Sequence, residues 1–227
     1  MNMSVAEKLT QILDGSNDYL SFETAIFLHG LAPEPPHIIR IVTNSRRRDR
    51  DIENHRIEFV YHKSDRPART TALQYNGISL RTATICQALV DVLADMHLQP
   101  SRQITATWFW SLPFNASELV KLAEETSVAA HKRALFWSLW SGRTGVQQVV
   151  PPKISRTPVY IFPDEKTDQL WEGLLQVFYP AWLHEFDPGD YASVFFRRSI
   201  RSRLAGNEKI PTVYRFHEGR KIAVIQR

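Results

Sequence analysis

A single cysteine, Cys86, stands in this chain of 227 residues, and it limits the ways the fold can be held together more than any other feature. No intrachain disulfide can form, so stability must come from a packed core, which a chain of this length can bury without covalent staples. Apolar residues at 43% are enough for such a core. Unpaired cysteine also points to a reducing, cytoplasmic compartment. The first twenty residues hold no h-region and no uncharged apolar run reaches transmembrane length, so neither a secretory signal nor a membrane partner is expected.

Periodicity predicts an α/β chain of the α+β kind. Ser4 to Leu13 reads as a short amphipathic helix, and a second begins after Ser21, a good N-cap, and stops at Gly30. His37–Val42 and Arg56–Tyr61 read as two strands joined by a polar loop, a β-hairpin with a basic tip. Asn76-Gly77 makes a turn, and Thr84–Met96 is a helix. Trp108–Phe114 looks aromatic and irregular. Ala116–Glu125 is helical, and Ser127 caps a further helix to Trp140. Pro151-Pro152 marks a boundary between a domain at 1–150 and a C-terminal α+β module at 151–227, and the two either stand apart or pack as one unit. In that module Pro158–Phe162 reads as a strand and Asp164 as the cap of a helix containing Leu170, Trp171, Leu174 and Leu175. Phe186–Tyr191 is a turn and Ala192–Leu204 a basic helix. A hairpin spans Thr212–Phe216 and Lys221–Ile225.

Several chemistries lack their motif. There is no G-x-G-x-x-G, no P-loop and no G-x-S-x-G elbow. One Cys and scattered His offer no metal-ligand spacing, so neither cofactor nor metal is expected. Cys86 lies among apolar helix residues and reads as packing.

Charge is unevenly distributed. Residues 191–227 carry nine Lys/Arg against two Asp/Glu, a net of +7, while the rest of the chain carries −3. A basic block on a near-neutral body points to a polyanion, with DNA foremost. In that block Arg197, Arg198, Arg201 and Arg203 fall on one predicted helix, and Arg is suited to bidentate phosphate contact. Arg46, Arg47 and Arg48 in the 44–54 loop form a second basic cluster, tempered by Asp49 and Asp51. Tyr179, Trp182, Phe186 and Tyr191 surround Asp187 and Asp190. Rings stack on bases and carboxylates activate water, although core packing and turn chemistry explain the same stretch. Asp91, inside an apolar helix, reads first as a structural hydrogen-bonding group and second as a catalytic acid.

The segment Tyr19-Leu-Ser-Phe-Glu-Thr-Ala-Ile-Phe-Leu-His-Gly-Leu31 resembles the signature helix of AbiEi-type antitoxins, regulators of viral defence systems. Gly77–Ala83 with Ala88–Leu93, and Ser127–Ala134, are similar to later helices of that family, which usually has an acid where Asp91 stands. The resemblance covers about residues 19–142. It implies an AbiEi-like core of helices and a small sheet, a role in antiphage defence, and a nucleotidyltransferase toxin encoded nearby as partner. The family usually opens with a winged helix-turn-helix, and the 18 residues before Tyr19 are too few for one. Operator recognition is therefore not expected. Two functions remain: a nucleic-acid-binding antitoxin-type protein, or a stand-alone antiphage enzyme such as a DNA glycosylase excising a modified phage base, or a nuclease.

Overall fold

The computed structural model describes residues 4–13, 17–32, 34–63, 67–143, 154–173, 175–185, 213–217 and 220–224. They form an α+β fold. The chain divides into two compact units, Met1–Val92 and Leu93–Arg227.

In the first unit, helix α1 (Val5–Leu13) opens with a reciprocal cap. Glu7 N donates to Ser4 Oγ, and Ser4 N donates to the Glu7 carboxylate. The apolar stripe of α1 packs Leu9 and Leu13 against Leu20, Ile39, Ile41, Ile57 and Leu80 of a six-stranded sheet. Fully burying each such aliphatic side chain contributes about 1.5–3 kcal/mol. The strands are β1 (Tyr19–Leu20), β2 (Ile38–Thr43), β3 (Arg50–Ile52), β4 (His55–Tyr61), β5 (Thr70–Tyr75) and β6 (Ile78–Ala83), in the order β3-β4-β2-β1-β6-β5. Helix α2 (Phe22–Leu28) follows β1, and α3 (Ile85–Ala94) follows β6. Thr84 Oγ1 accepts from Gln87 N and caps α3.

The expected hairpin of 37–42 and 56–61 does not form. β2 and β4 pair in parallel, Ile38 opposite Arg56 through Thr43 opposite Tyr61. The loop after Thr43 crosses to the far side of β4, and the chain runs back as β3 before turning into β4. The hairpin is instead β3–β4, turning at Glu53, which accepts φ 54°. Asn76 and Gly77, both at positive φ, join β5 and β6 as the dipeptide predicts.

The second unit holds α4 (Arg102–Ser111), α5 (Ala116–Thr126) and α6 (Val128–Trp140), and a five-stranded sheet. Its strands are β7 (Val159–Tyr160), β8 (Gln169–Glu172), β9 (Val177–Pro180), β10 (Val213–His217) and β11 (Arg220–Val224), in the order β11-β10-β8-β9-β7. Trp137 of α6 is fully buried, stacked on Phe109 at 4.9 Å and edge-on to Phe136, Trp140 and Phe162. Two predictions fail here. The aromatic stretch from Trp108 is the second half of α4, whose N-terminus is fixed by Ser101 Oγ accepting from Ile104 N. The helix expected after Asp164 is β8. Pairing with β9 on one side and β10 on the other overrides local helix propensity. The hairpin of β10 and β11 forms in the register Val213–Val224 to His217–Arg220. The proposed boundary at Pro151-Pro152, the turn at 186–191 and the basic helix at 192–204 lie outside the described residues.

Candidate functional site

Leu20 faces the α1 side of the first sheet, so strand alternation sends Tyr19 and Ser21 to the opposite face, under α3. Asp91 of α3 meets them there and is 1% exposed. Ser21 Oγ donates to Asp91 Oδ2 at 2.5 Å, and the Tyr19 hydroxyl at 3.2 Å. Gln87, one helical turn before Asp91, donates from Nε2 to Oδ1 at 2.8 Å, while its Oε1 accepts from Arg69 N. His62, just beyond β4, places Nδ1 3.8 Å from Asp91 Oδ1. The five groups come from the β1–α2 junction, the end of β4 and one face of α3.

Burial raises the Asp91 carboxyl above the ordinary range, opposed by the charge of His62 and by hydrogen bonds from Ser21, Gln87 and Tyr19. Burial, then the neighbouring negative charge of Asp91, raises the Tyr19 hydroxyl, which stays protonated as a donor. The cluster is therefore a buried carboxyl ringed by hydrogen-bond donors. His62, whose side chain is 20% exposed, connects it to solvent. A carboxyl behind an imidazole orients the ring, the pairing of a general acid with its positioning group.

Local geometry carries a cost here. Ser21 occupies the N-cap position of α2, but its hydroxyl is spent on Asp91 and does not cap the helix. Phe22, at the first helical position, is fully buried at φ 54°. A bulky residue in that region costs on the order of 1–3 kcal/mol, and such strain concentrates at functional sites. The Phe22 ring lies beneath the Arg40 guanidinium, which bridges Glu23 and Glu58 at 3.0 and 3.1 Å.

The basic loop leaves the sheet at the same end as His62, whose N donates to Thr43 O. Arg47 is committed: its NH2 lies 2.8 Å from the fully buried Asp18, and its NH1 donates to the Ile12 carbonyl. Arg46 and Arg48 are exposed. Asp49 is paired with Arg56 at 3.2 Å and accepts from Phe59 N, so it compensates Arg56 rather than the loop arginines.

The C-terminal candidates fare differently. Tyr179 is 4% exposed and packs on Phe136 at 5.1 Å, which commits its ring to the core and removes it as a stacking surface. Trp182 stacks on Phe162 at 5.9 Å and directs Nε1 to Glu165. Phe186, Asp187, Asp190, Tyr191, Arg197, Arg198, Arg201 and Arg203 lie outside the described residues. Among the described residues no three His, Cys, Asp or Glu gather as a metal site. Cys86 is buried, as packing requires. A small, mainly apolar pocket lined by Leu9, Leu20, Phe27, Ile39 and Leu80 also has Thr24 and His55 in its wall.

Sequence reasoning singled out Asp91 and missed its partners. The i, i+4 spacing of Gln87 and Asp91 was a usable signal. Nothing local marks His62.

No family model matches the chain, and no curated protein matches it. Its fold is similar to the crystal structure of the RV2827C protein from Mycobacterium tuberculosis, with a TM-score of 0.54 and 12% identity, over 86% of this chain and 69% of that one. At that identity the likeness concerns the fold alone. Among the described residues no helix is long and apolar enough to cross a membrane.

Proposed function

We propose that this chain acts on DNA in antiphage defence by hydrolysing the bond between a modified phage base and its sugar, with His62 as the acid and Asp91 as the carboxyl that positions it. The observation that supports this most is the burial of Asp91 beside the half-buried His62. A carboxyl kept from water beside a part-exposed imidazole suits a general acid and its positioning group. Breaking the C1′–N bond sends the electron pair onto the base, and His62 donates the proton that makes the base a neutral leaving group. Water then adds to C1′, where positive, oxocarbenium-like charge has built up, and its surplus proton passes to the now neutral His62. A base inside a duplex reaches such a group only when flipped from the stack.

The test uses purified full-length protein without added nucleotide. Modified phage DNA and unmodified DNA are incubated with it and probed for abasic sites. The expected result is abasic sites in the modified DNA, lowered about 100-fold or more by Asp91→Asn or His62→Ala with DNA binding intact. No abasic site in either DNA overturns it.

A second reading, an AbiEi-type nucleic-acid-binding antitoxin, is favoured by the exposed Arg46 and Arg48 together with the resemblance at Tyr19–Leu31. Under it, co-expression neutralises a nucleotidyltransferase toxin encoded nearby, and the Asp91 variant neutralises equally well.

A further inference from the structure

Among the described residues the exposed large apolar side chains are Tyr61, Ile104 and Val128, and of these Tyr61 alone is aromatic. It ends β4 and is 43% exposed. The loop after β2 lies beside it, with the Arg46 guanidinium 5.9 Å from the Tyr61 ring centre. One residue pair further along, the guanidinium of Arg50 lies 5.2 Å from the ring of Phe59, and that of Arg47 lies 5.6 Å from it. Tyr61 and Phe59 share one face of the strand by alternation. The loop is held down by Arg47 on Asp18 and by Asp49 on Phe59 N. That leaves Arg46, Arg48 and Arg50 exposed, and among the described residues no carboxylate pairs with them.

From this we infer that Tyr61 is a stacking platform for an unpaired base of a single strand, with Arg46, Arg48 and Arg50 holding the phosphates that flank it. The inference rests on the reading that the ligand is nucleic acid and adds which form of it this face accepts. A part-exposed ring with one guanidinium over it and further exposed arginines on the same loop matches a splayed base between two phosphates. A base-paired duplex keeps its bases stacked on each other and offers such a ring nothing. Arginine contacts to phosphate alone would not discriminate between strands.

The experiment measures binding of the full chain to three probes: a single-stranded DNA oligonucleotide, the same sequence as duplex, and heparin as a polyanion without bases. Tyr61→Ala should weaken single-strand binding about 5- to 150-fold, the range of one lost base stack. It should leave duplex and heparin binding within about twofold, and Tyr61→Phe, which keeps the ring, should bind all three like the wild type. Replacing Arg46, Arg48 and Arg50 together by Ala should weaken all three probes and flatten the single-strand salt dependence by about 2 in log–log slope. Unchanged single-strand affinity in Tyr61→Ala overturns the platform, as does an equal loss on heparin. If the wild type releases no base from any DNA but Tyr61→Ala still loses single-strand affinity, the excision reading falls and the platform stands. If Asp91→Asn abolishes base release while Tyr61→Ala changes neither release nor binding, the platform falls and the excision reading stands.

Discussion

The two units each hold one kind of buried charge in a different way. In the first, one carboxylate, Asp91, is held by side chains alone: a hydroxyl, a phenol, an amide and an imidazole. In the second, cations are held by main-chain carbonyls. Lys132 Nζ donates to Thr157 O at 2.5 Å. Arg133 donates to the carbonyls of Tyr160 and Leu93. Arg143 NH2 donates to those of Trp110 and Leu112, at the C-terminus of α4. Burial draws Arg133 down to about 10, with Asp95 opposing, and leaves it charged at neutral pH. A cation on orphan helix carbonyls completes backbone bonding and complements the helix dipole, which is a structural task. A carboxylate ringed by groups that are themselves reactive has fewer structural reasons to exist.

The contrast can be broken by substitution. Asp91→Ala strands the Ser21, Tyr19 and Gln87 donors in an apolar setting and should cost about 3–5 kcal/mol, read by chemical denaturation. A loss below about 1 kcal/mol would mean that the cluster relaxes freely and is not preorganised. Arg143→Met should cost less, about 1.5 kcal/mol, because its carbonyls sit near a surface that water can reach. Lys132→Met keeps the length of the stem, and the exposed Thr157 can turn its carbonyl to water, so the cost should stay under about 1 kcal/mol. Neither cation variant should change base release per folded molecule. A matching loss of release in Lys132→Met would erase the division between structural and functional charge.

The smallest effect is in pH. Folding lifts the Asp91 carboxyl above its ordinary value of 3.8, so the folded chain holds that proton to higher pH than the unfolded chain. Stability from this group is therefore fullest below 3.8 and is lost as pH rises through the raised value. Glu23 is also raised, mainly by burial, and contributes in the same direction. Wild type should lose stability relative to Asp91→Asn across that interval. Parallel denaturation curves for the two would place the proton elsewhere.

Much of the first unit was legible because local signals agreed with the tertiary outcome. Ser4 and Glu7, Asn76-Gly77 and the apolar face of α3 each specify their own element. The topology of β2 and β4 was not legible. Two β-branched runs with a polar connector pair either way, and the connector's length decides. β8 was misread because Leu170 and Trp171 owe their strand to partners on both sides, one of them some 45 residues away in sequence. Asp91 stood out as an acid in an apolar helix. The imidazole it serves lies 29 positions earlier and comes near only through folding.

Position 22 is where these demands collide. Glycine would accept φ 54° without strain, but it would delete a fully buried ring and the support beneath Arg40. Smaller β-branched residues would keep the strain and lose the volume. Leucine and methionine fill part of the space but offer no π face to the guanidinium. In a saturation scan this site should tolerate few replacements, with tyrosine foremost among them. The narrowness would come from two incompatible requirements on one residue, backbone handedness and aromatic bulk, rather than from any contact with a substrate.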